Sequence, residues 1–291
     1  MLAGSVKPSS PLDVLTPSRL KLHSTDTVYS PGYNCGVTRA RQIVTIHDLI
    51  HLDDPGQKST AKDIYYERLV KPAIRRAGLV LTVSKATQTR AVEWINDASV
   101  DVRVVGNGSS VAFSEDGPRV SMDRTTFLYV GNLRSHKNVG ILMSALKQRP
   151  DYRLILVTPD SHDVQLLAHQ YGVFSQIEVK SGLSDEQLAV LYRSVTATLM
   201  PSLFEGFGLP ALESFLCGTP TIYWVGCESI AEISAGNGIA VSSSESVDEW
   251  VEAMDTASRP AVPLVRDAPE SWQRRYNWES VAGAVGQALA I

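Results

Sequence analysis

Residues 201–214 read PSLFEGFGLPALES, a stretch that sets Glu205 and Glu213 eight positions apart around a glycine-rich helix start. Gly206 and Gly208 let the backbone approach a ligand closely, and Pro210 suits the first helical turn, where its missing N–H costs nothing. The first-turn N–H groups of such a helix lack intrahelical partners and stand at the positive end of its dipole, which makes an anion site that suits phosphate. Carboxylates are poor phosphate binders, so the two flanking acids are better employed accepting hydrogen bonds from hydroxyls. A sugar nucleotide carries both groups.

Composition agrees with a folded enzyme of this kind. The chain has 291 residues, of which 44% are hydrophobic and 20% charged, enough for a large core and, by the usual domain size, for about two domains. A formal net charge of −4 argues against a protein that holds nucleic acid by general phosphate neutralisation. No apolar run approaches the roughly 20 residues that span a bilayer, and the opening MLAGSVKPSS lacks an apolar signal-peptide core, so a cytoplasmic location is expected. Cys35, Cys217 and Cys227 form no CxxC pair, which fits reduced thiols rather than a disulfide frame or a zinc site.

Short β-branched runs alternate with helical stretches, the pattern of α/β folds with parallel sheets. The spacing predicts strands at Ile43–Ile46, Leu79–Val83, Val102–Val105, Thr126–Val130, Arg153–Val157, Ile177–Val179, Ala197–Met200 and Thr221–Val225. Helices are expected near Ser59–Ala77, Ala86–Ile95 and Val139–Arg149, with others beginning near Asp163, Ser184, Leu209 and Asp248. Between Gly108 and Asp123 the apolar rhythm gives way to Ser, Gly, Pro and charge, which marks a linker. The expected division is residues 1–118, residues 119–268 and a terminal helical segment, 269–291. Ligands of such Rossmann-like halves bind at the carboxyl ends of the strands.

Residues 201–214 resemble the E-x7-E signature of retaining, GT-B-fold glycosyltransferases of family four, the group 1 enzymes that include mannosyltransferases. The resemblance implies two Rossmann-like domains facing a cleft. It gives Glu205 the transferring sugar, Glu213 the ribose hydroxyls, and Phe207, Gly208 and Leu209 a place against the sugar and diphosphate. FLYVGNLRSHKN, residues 127–138, is similar to the family's VGxxxxxKN element: Lys137 and, where relatives carry Arg at the position of His136, Arg134 would meet the diphosphate, beside Gly131 and Asn132. VTIHDLIHL, residues 44–52, resembles a TIHD landmark whose His47 would reach the donor sugar, whereas His51 reads as structural. Gly182 and Leu183, after the candidate strand Ile177–Val179, complete the donor-binding set, and no metal site or cofactor is expected beyond the GDP- or UDP-sugar itself.

Weaker echoes lie at LTVSKATQ, VVGNGSS and SWQRRYNWESVA, where Ser84 reads as a helix cap, Asn107 and Gly108 as a turn, and Trp278 as part of a helix that crosses back onto the N-terminal domain. The helix YYERLVKPAIRRA places Arg68, Lys71, Arg75 and Arg76 on an amphipathic surface; a solvated face is the simpler reading, peripheral contact with anionic lipid at the inner face of a membrane the other. The start departs from the family: no first strand, glycine-rich loop and helix are evident, and only Gly4 precedes Gly32. A shortened N-terminal domain, completed by a partner, is one expectation. The function implied is transfer of a hexose, such as mannose, to a glycan or lipid-linked acceptor in polysaccharide biosynthesis, with a non-catalytic sugar-nucleotide-binding subunit as the alternative and an epimerase of the same fold as a remoter one.

Overall fold

The computed structural model describes residues 22–53, 60–234, 238–259 and 274–290. The α/β class expected from the sequence holds: two separate sheets, all of whose pairings are parallel. They belong to two compact units, one formed by residues up to Gly106 together with those from Gly283 on, the other by Asn107–Ala282. Residues 1–21, on which the expectation of a missing first strand, loop and helix rests, lie outside the described residues.

The first unit carries β1 (Thr27–Ser30), β2 (Arg41–Ile46), β3 (Leu79–Thr82) and β4 (Asp101–Val104), side by side in chain order. β3 reads LVLT and is buried at all four positions, as a strand covered on both faces must be. A short helix α1 (Ile50–Asp53) follows β2, and α2 (Thr60–Tyr65) runs through a π turn, Tyr66–Val70, into α3 (Lys71–Ala77). Pro72 has no N–H to continue the ladder, and the wider turn, in which the Lys71 N–H bonds to the Tyr66 carbonyl, absorbs the break. On this helix Lys71 pairs with Glu67 at 3.2 Å and Arg75 donates to the Ile95 carbonyl at 2.5 Å, so two of its four cations are engaged within their own unit. Ser84 caps α4 (Lys85–Ile95) as expected, accepting the Thr87 N–H at 3.0 Å.

The second unit is a six-stranded sheet of β5 (Thr126–Val130), β6 (Arg153–Val157), β7 (Ile177–Lys180), β8 (Ala197–Met200), β9 (Thr221–Trp224) and β10 (Gly238–Val241), in the order 10-9-8-5-6-7. Its helices are α5 (Val139–Lys147), α6 (Ser161–Tyr171), α7 (Asp185–Ser194), α8 (Leu209–Leu216), α9 (Glu228–Ser234) and α10 (Val247–Ala257). Phe127, Leu142, Leu154, Leu199, Ile222 and Trp250 are all fully buried in its main core. β1, β10, α1 and α9 are absent from the sequence reading: each is at most seven residues long, and the two strands lie at sheet edges, where apolar runs are shortest.

The boundary expected after residue 118 lies earlier. Residues 108–123 belong to the second unit, because α7 holds them: Arg193 donates to the carbonyls of Ser114 (2.9 Å) and Pro118 (3.1 Å), Ser194 Oγ accepts the Val120 N–H at 2.8 Å, and Phe113 meets Tyr192 edge-on. The last helix, α11 (Trp278–Leu289), begins in the second unit and ends in the first, where Ala288 packs with Ile43, Leu79 and Leu81.

All three cysteines are free and buried, and burial pushes the Cys35 and Cys227 thiols up to about 12 and that of Cys217 to about 11. Among the described residues no helix is long and apolar enough to cross a membrane. Trp250 on α10 is fully buried, yet its indole N–H meets no acceptor. Trp250→Ala should therefore lower unfolding stability by about 3–5 kcal/mol, whereas Trp250→Phe, which removes the orphaned donor with part of the volume, should cost clearly less. Denaturant titration of both variants tests the ranking.

Candidate active site

In the second sheet β6 and β7 lie on one side of β5 while β8, β9 and β10 lie on the other. The loops that leave β5 and β8 therefore part at the carboxyl ends of two neighbouring strands, and such a reversal point is where open parallel sheets take their ligands. The two loops carry the FLYVGNLRSHKN and PSLFEGFGLPALES segments. Among the described residues the first sheet, in simple chain order, has no such reversal.

The β5 loop is shaped by its glycine. Gly131 has φ +153°, and a Cβ there would stand 2.9 Å from the hydroxyl of Tyr129, whose O–H donates to the Asn132 carbonyl at 2.6 Å. The Asn132 side chain accepts the Arg134 N–H at 3.2 Å, and Asp160 accepts the Leu133 N–H at 3.0 Å. A single 3-10 turn, Ser135–Lys137, ends at Asn138 in the left-handed region, with its side-chain amide donating to the Ser244 carbonyl at 2.9 Å. These bonds set the direction in which Lys137 leaves the chain.

Lys137 meets the other loop. Its Nζ lies 2.5 Å from Glu205 Oε1, which also accepts from the Ser202 hydroxyl at 2.8 Å; the side chains of Lys137 and Glu205 are only 16% and 12% exposed. The Leu203 N–H donates to the His136 carbonyl at 2.7 Å, and Ser229 Oγ at the start of α9 donates to the Glu205 carbonyl at 2.8 Å. Gly208 then takes φ +97° with no room to spare, since a Cβ would lie 3.1 Å from Ile230, and α8 begins with no side chain capping it. Pro210 has no N–H, and the amides of Ala211 and Leu212 turn back to the Gly208 carbonyl, so the first-turn donor left for an anion is that of Leu209. That is a narrower cradle than the sequence implies.

Glu213 stands one turn further along α8. Tyr192 donates to its Oε2 at 2.9 Å; burial pushes the carboxyl up to about 7, with the nearby Asp185 adding to the rise and the Tyr192 hydrogen bond opposing it. Gly182 (φ +67°) and Leu183 lead into α7, whose start is closed by a reciprocal pair, Ser184 Oγ accepting the Gln187 N–H and Gln187 Oε1 accepting the Ser184 N–H. Arg134, exposed, lines a cavity of about 420 Å³ with Asn138, Asp163 and Leu167. Phe207 is buried against Tyr276, ring centroids 5.7 Å apart.

The second unit thus contains every candidate but His47, which follows β2 in the first unit, exposed, with Nε2 2.7 Å from the Pro31 carbonyl. His51 is buried against Tyr66, and burial, with Lys62 adding, lowers its pKa to about 4, so it stays neutral. Ser202, Ser229, Tyr192 and Tyr276 complete the site without having been singled out in the sequence. Ser202 and Tyr276 sit inside quoted segments, PSLFEGFGLPALES and SWQRRYNWESVA; for Ser229 and Tyr192 no local signal exists, because each acts from another element.

Residues 113–261, just over half of the chain, match the model for glycosyl transferases group 1, and the chain belongs to that family. It is 25% identical over 253 residues to the O-antigen chain mannosyltransferase RfbU of Salmonella typhimurium, covering 86% of this chain and 69% of that one. It is also 25% identical over 271 residues to the D-inositol 3-phosphate glycosyltransferase of Mycobacterium bovis, covering 86% of this chain but only 55% of the relative. Among solved structures, sucrose-phosphate synthase of Thermosynechococcus elongatus superposes with a TM-score of 0.77 at 20% identity, over 99% of this chain and 81% of its own. HepE of Anabaena, in complex with UDP and glucose, gives 0.73 at 18% identity over 99% and 83%. These two likenesses establish the GT-B type of fold.

Because the folded-state pKa of Glu213 is raised, its contribution to stability is full below the ordinary value of 4.5 and is lost as pH rises through about 7. Glu213→Gln, neutral throughout, should match the parent at pH 4 and exceed it by about 3 kcal/mol at pH 8. Parallel unfolding curves at the two pH values would contradict the burial argument.

Proposed function

We propose that this group 1 glycosyltransferase moves a hexose, such as mannose, from a GDP- or UDP-sugar to a glycan or lipid-linked acceptor with retention at the anomeric carbon. The observation that carries the reading is the Lys137–Glu205 pair beside the uncapped start of α8. A cation and a carboxylate held together at a reversal point can each exchange the other for a ligand group: Lys137 for the diphosphate oxygens, Glu205 for a sugar hydroxyl. One turn along, Glu213 accepts from the ribose hydroxyls in its ionised form, while Tyr192 occupies its Oε2 and fixes the carboxylate plane. RfbU, by name a mannosyltransferase, and HepE, solved with UDP and glucose, support a hexose donor of this class.

As the glycosidic bond lengthens, charge develops on the departing diphosphate, and Lys137 with the Leu209 N–H stabilises it; Arg134 is the second cation within reach by sequence. The incoming hydroxyl attacks from the face the diphosphate leaves and passes its proton to the departing diphosphate oxygen as the glycosidic bond breaks, which accounts for retention without a side-chain base. No metal is required in this scheme, since fixed cations do its work on the leaving group.

Glu205→Ala should lower kcat by about 10²-fold with a smaller change in donor KM. Glu213→Ala should instead raise the nucleotide Kd about tenfold. A panel of UDP-, GDP- and dTDP-sugars, followed for binding and slow hydrolysis, identifies the donor; wild-type constants in both variants would refute the roles, and abolition of turnover by chelator would refute the metal-free scheme.

A further inference from the structure

The loop from Glu205 to Gly208 cannot hold its shape alone. It has two glycines in four residues, and Gly208 needs a left-handed φ. Two of its supports come from α9, where Ser229 bonds the Glu205 carbonyl and Ile230 packs under Gly208. The third comes from the segment just before α11. Tyr276, 3% exposed, sets its ring edge-on to Phe207, itself 7% exposed. Arg275 lies over the ring of that phenol, 5.2 Å from the ring centroid to its guanidinium carbon, and its guanidinium also faces Glu232 of α9 at 3.7 Å. The backbone is held as well: the Tyr276 carbonyl accepts the Ser109 N–H at 2.9 Å, Ser109 and Asn277 pair in a parallel bridge, and Gly108 lies so close to the Trp278 indole that a Cβ would come within 2.5 Å of it.

Each of these contacts fixes Tyr276 in space, and the ring of Tyr276 in turn meets Phe207 in the candidate site. Phe207 lies between the two loop glycines and directly before the residue that caps α8. We propose that Tyr276 is a positioning residue for the donor nucleotide: its ring holds Phe207 and so fixes the backbone from which Leu209 presents its N–H to the diphosphate. The inference rests on the reading of α8 as the diphosphate site. Its contribution is orientational, made through an aromatic edge contact rather than through any atom that touches the ligand. The site therefore borrows its rigidity from the segment where the chain is about to leave the second unit, and the same segment is tied by Ser109 to the place where the chain enters it.

The test uses the full chain, calorimetric titration with UDP and GDP, and thermal unfolding in parallel. Wild type and Tyr276→Phe, which keeps the ring, should bind the preferred nucleotide with the same Kd; Tyr276→Leu should raise that Kd about tenfold, and adding Phe207→Leu to it should raise it little further, because both remove one contact. Tyr276→Leu that binds as tightly as wild type, whether or not its melting temperature falls, overturns the proposal and leaves the diphosphate reading intact. Should the leucine variant fail to fold, hydrogen exchange of the wild type decides: bound nucleotide should slow exchange of the Ser109 amide, and an unchanged rate overturns the coupling. Wild type that binds neither nucleotide removes the diphosphate reading itself.

Discussion

Two oppositely charged side chains, Lys137 and Glu205, share a space at the carboxyl ends of β5 and β8 that leaves each little contact with water. Either ion alone in such a place would face a desolvation cost of several kcal/mol, and together they offset it through one short, charge-assisted hydrogen bond. The pairing requires that β5 and β8 be neighbours although 66 residues separate their ends, Val130 and Ala197 falling in different parts of the chain. Hence the reversal of strand order is what brings the charges together. A sheet in simple chain order, like that of the first unit, would keep the same two loops apart.

The loops that carry the pair are held by backbone and side-chain bonds before any ligand arrives. Gly131, Asn138 and Gly208 occupy backbone regions that most residues avoid, and each is fixed by a neighbour: Tyr129, the Ser244 carbonyl and Ile230 respectively. Such conformations persist only where the surroundings over-determine them. Here the conformational cost is met during folding, so that a ligand meets donors and acceptors already oriented. Preorganisation of this kind is the usual source of strong electrostatic assistance to a departing leaving group.

Much of this was legible in the residues. Thr126–Val130, Arg153–Val157 and Ala197–Met200 are strands with the expected bounds, because a strand buried on both faces reads as an unbroken apolar run. The E-x7-E spacing likewise located Glu205 and Glu213, since one helix start positions both. What escaped was long-range. The segment 108–123 has the composition of a linker, yet Arg193, 75 residues beyond Pro118, claims its carbonyls, and no local pattern records that. Glu213 looks like an ordinary ionised acid until the buried Tyr192 and the burial of the carboxyl itself are in view. The generous phosphate cradle inferred from FGLP shrinks because Ala211 spends its amide on the Gly208 carbonyl, a 3-10 bond in the first turn that residue types do not reveal.

The final helix closes a core that the chain began long before. Ala288, with Ala284, Val285 and Leu289 beside it, lies against Ile43, Leu79 and Leu81, residues made some two hundred positions earlier. On the ribosome, therefore, the contacts that Ala288 and its neighbours make with Ile43, Leu79 and Leu81 form only after the whole second sheet has been synthesised. Vectorial folding, amino-terminal unit first, is denied to this topology. The first unit is thus completed only once Ala288 and its neighbours have emerged, although its strands β1 to β4 are made first.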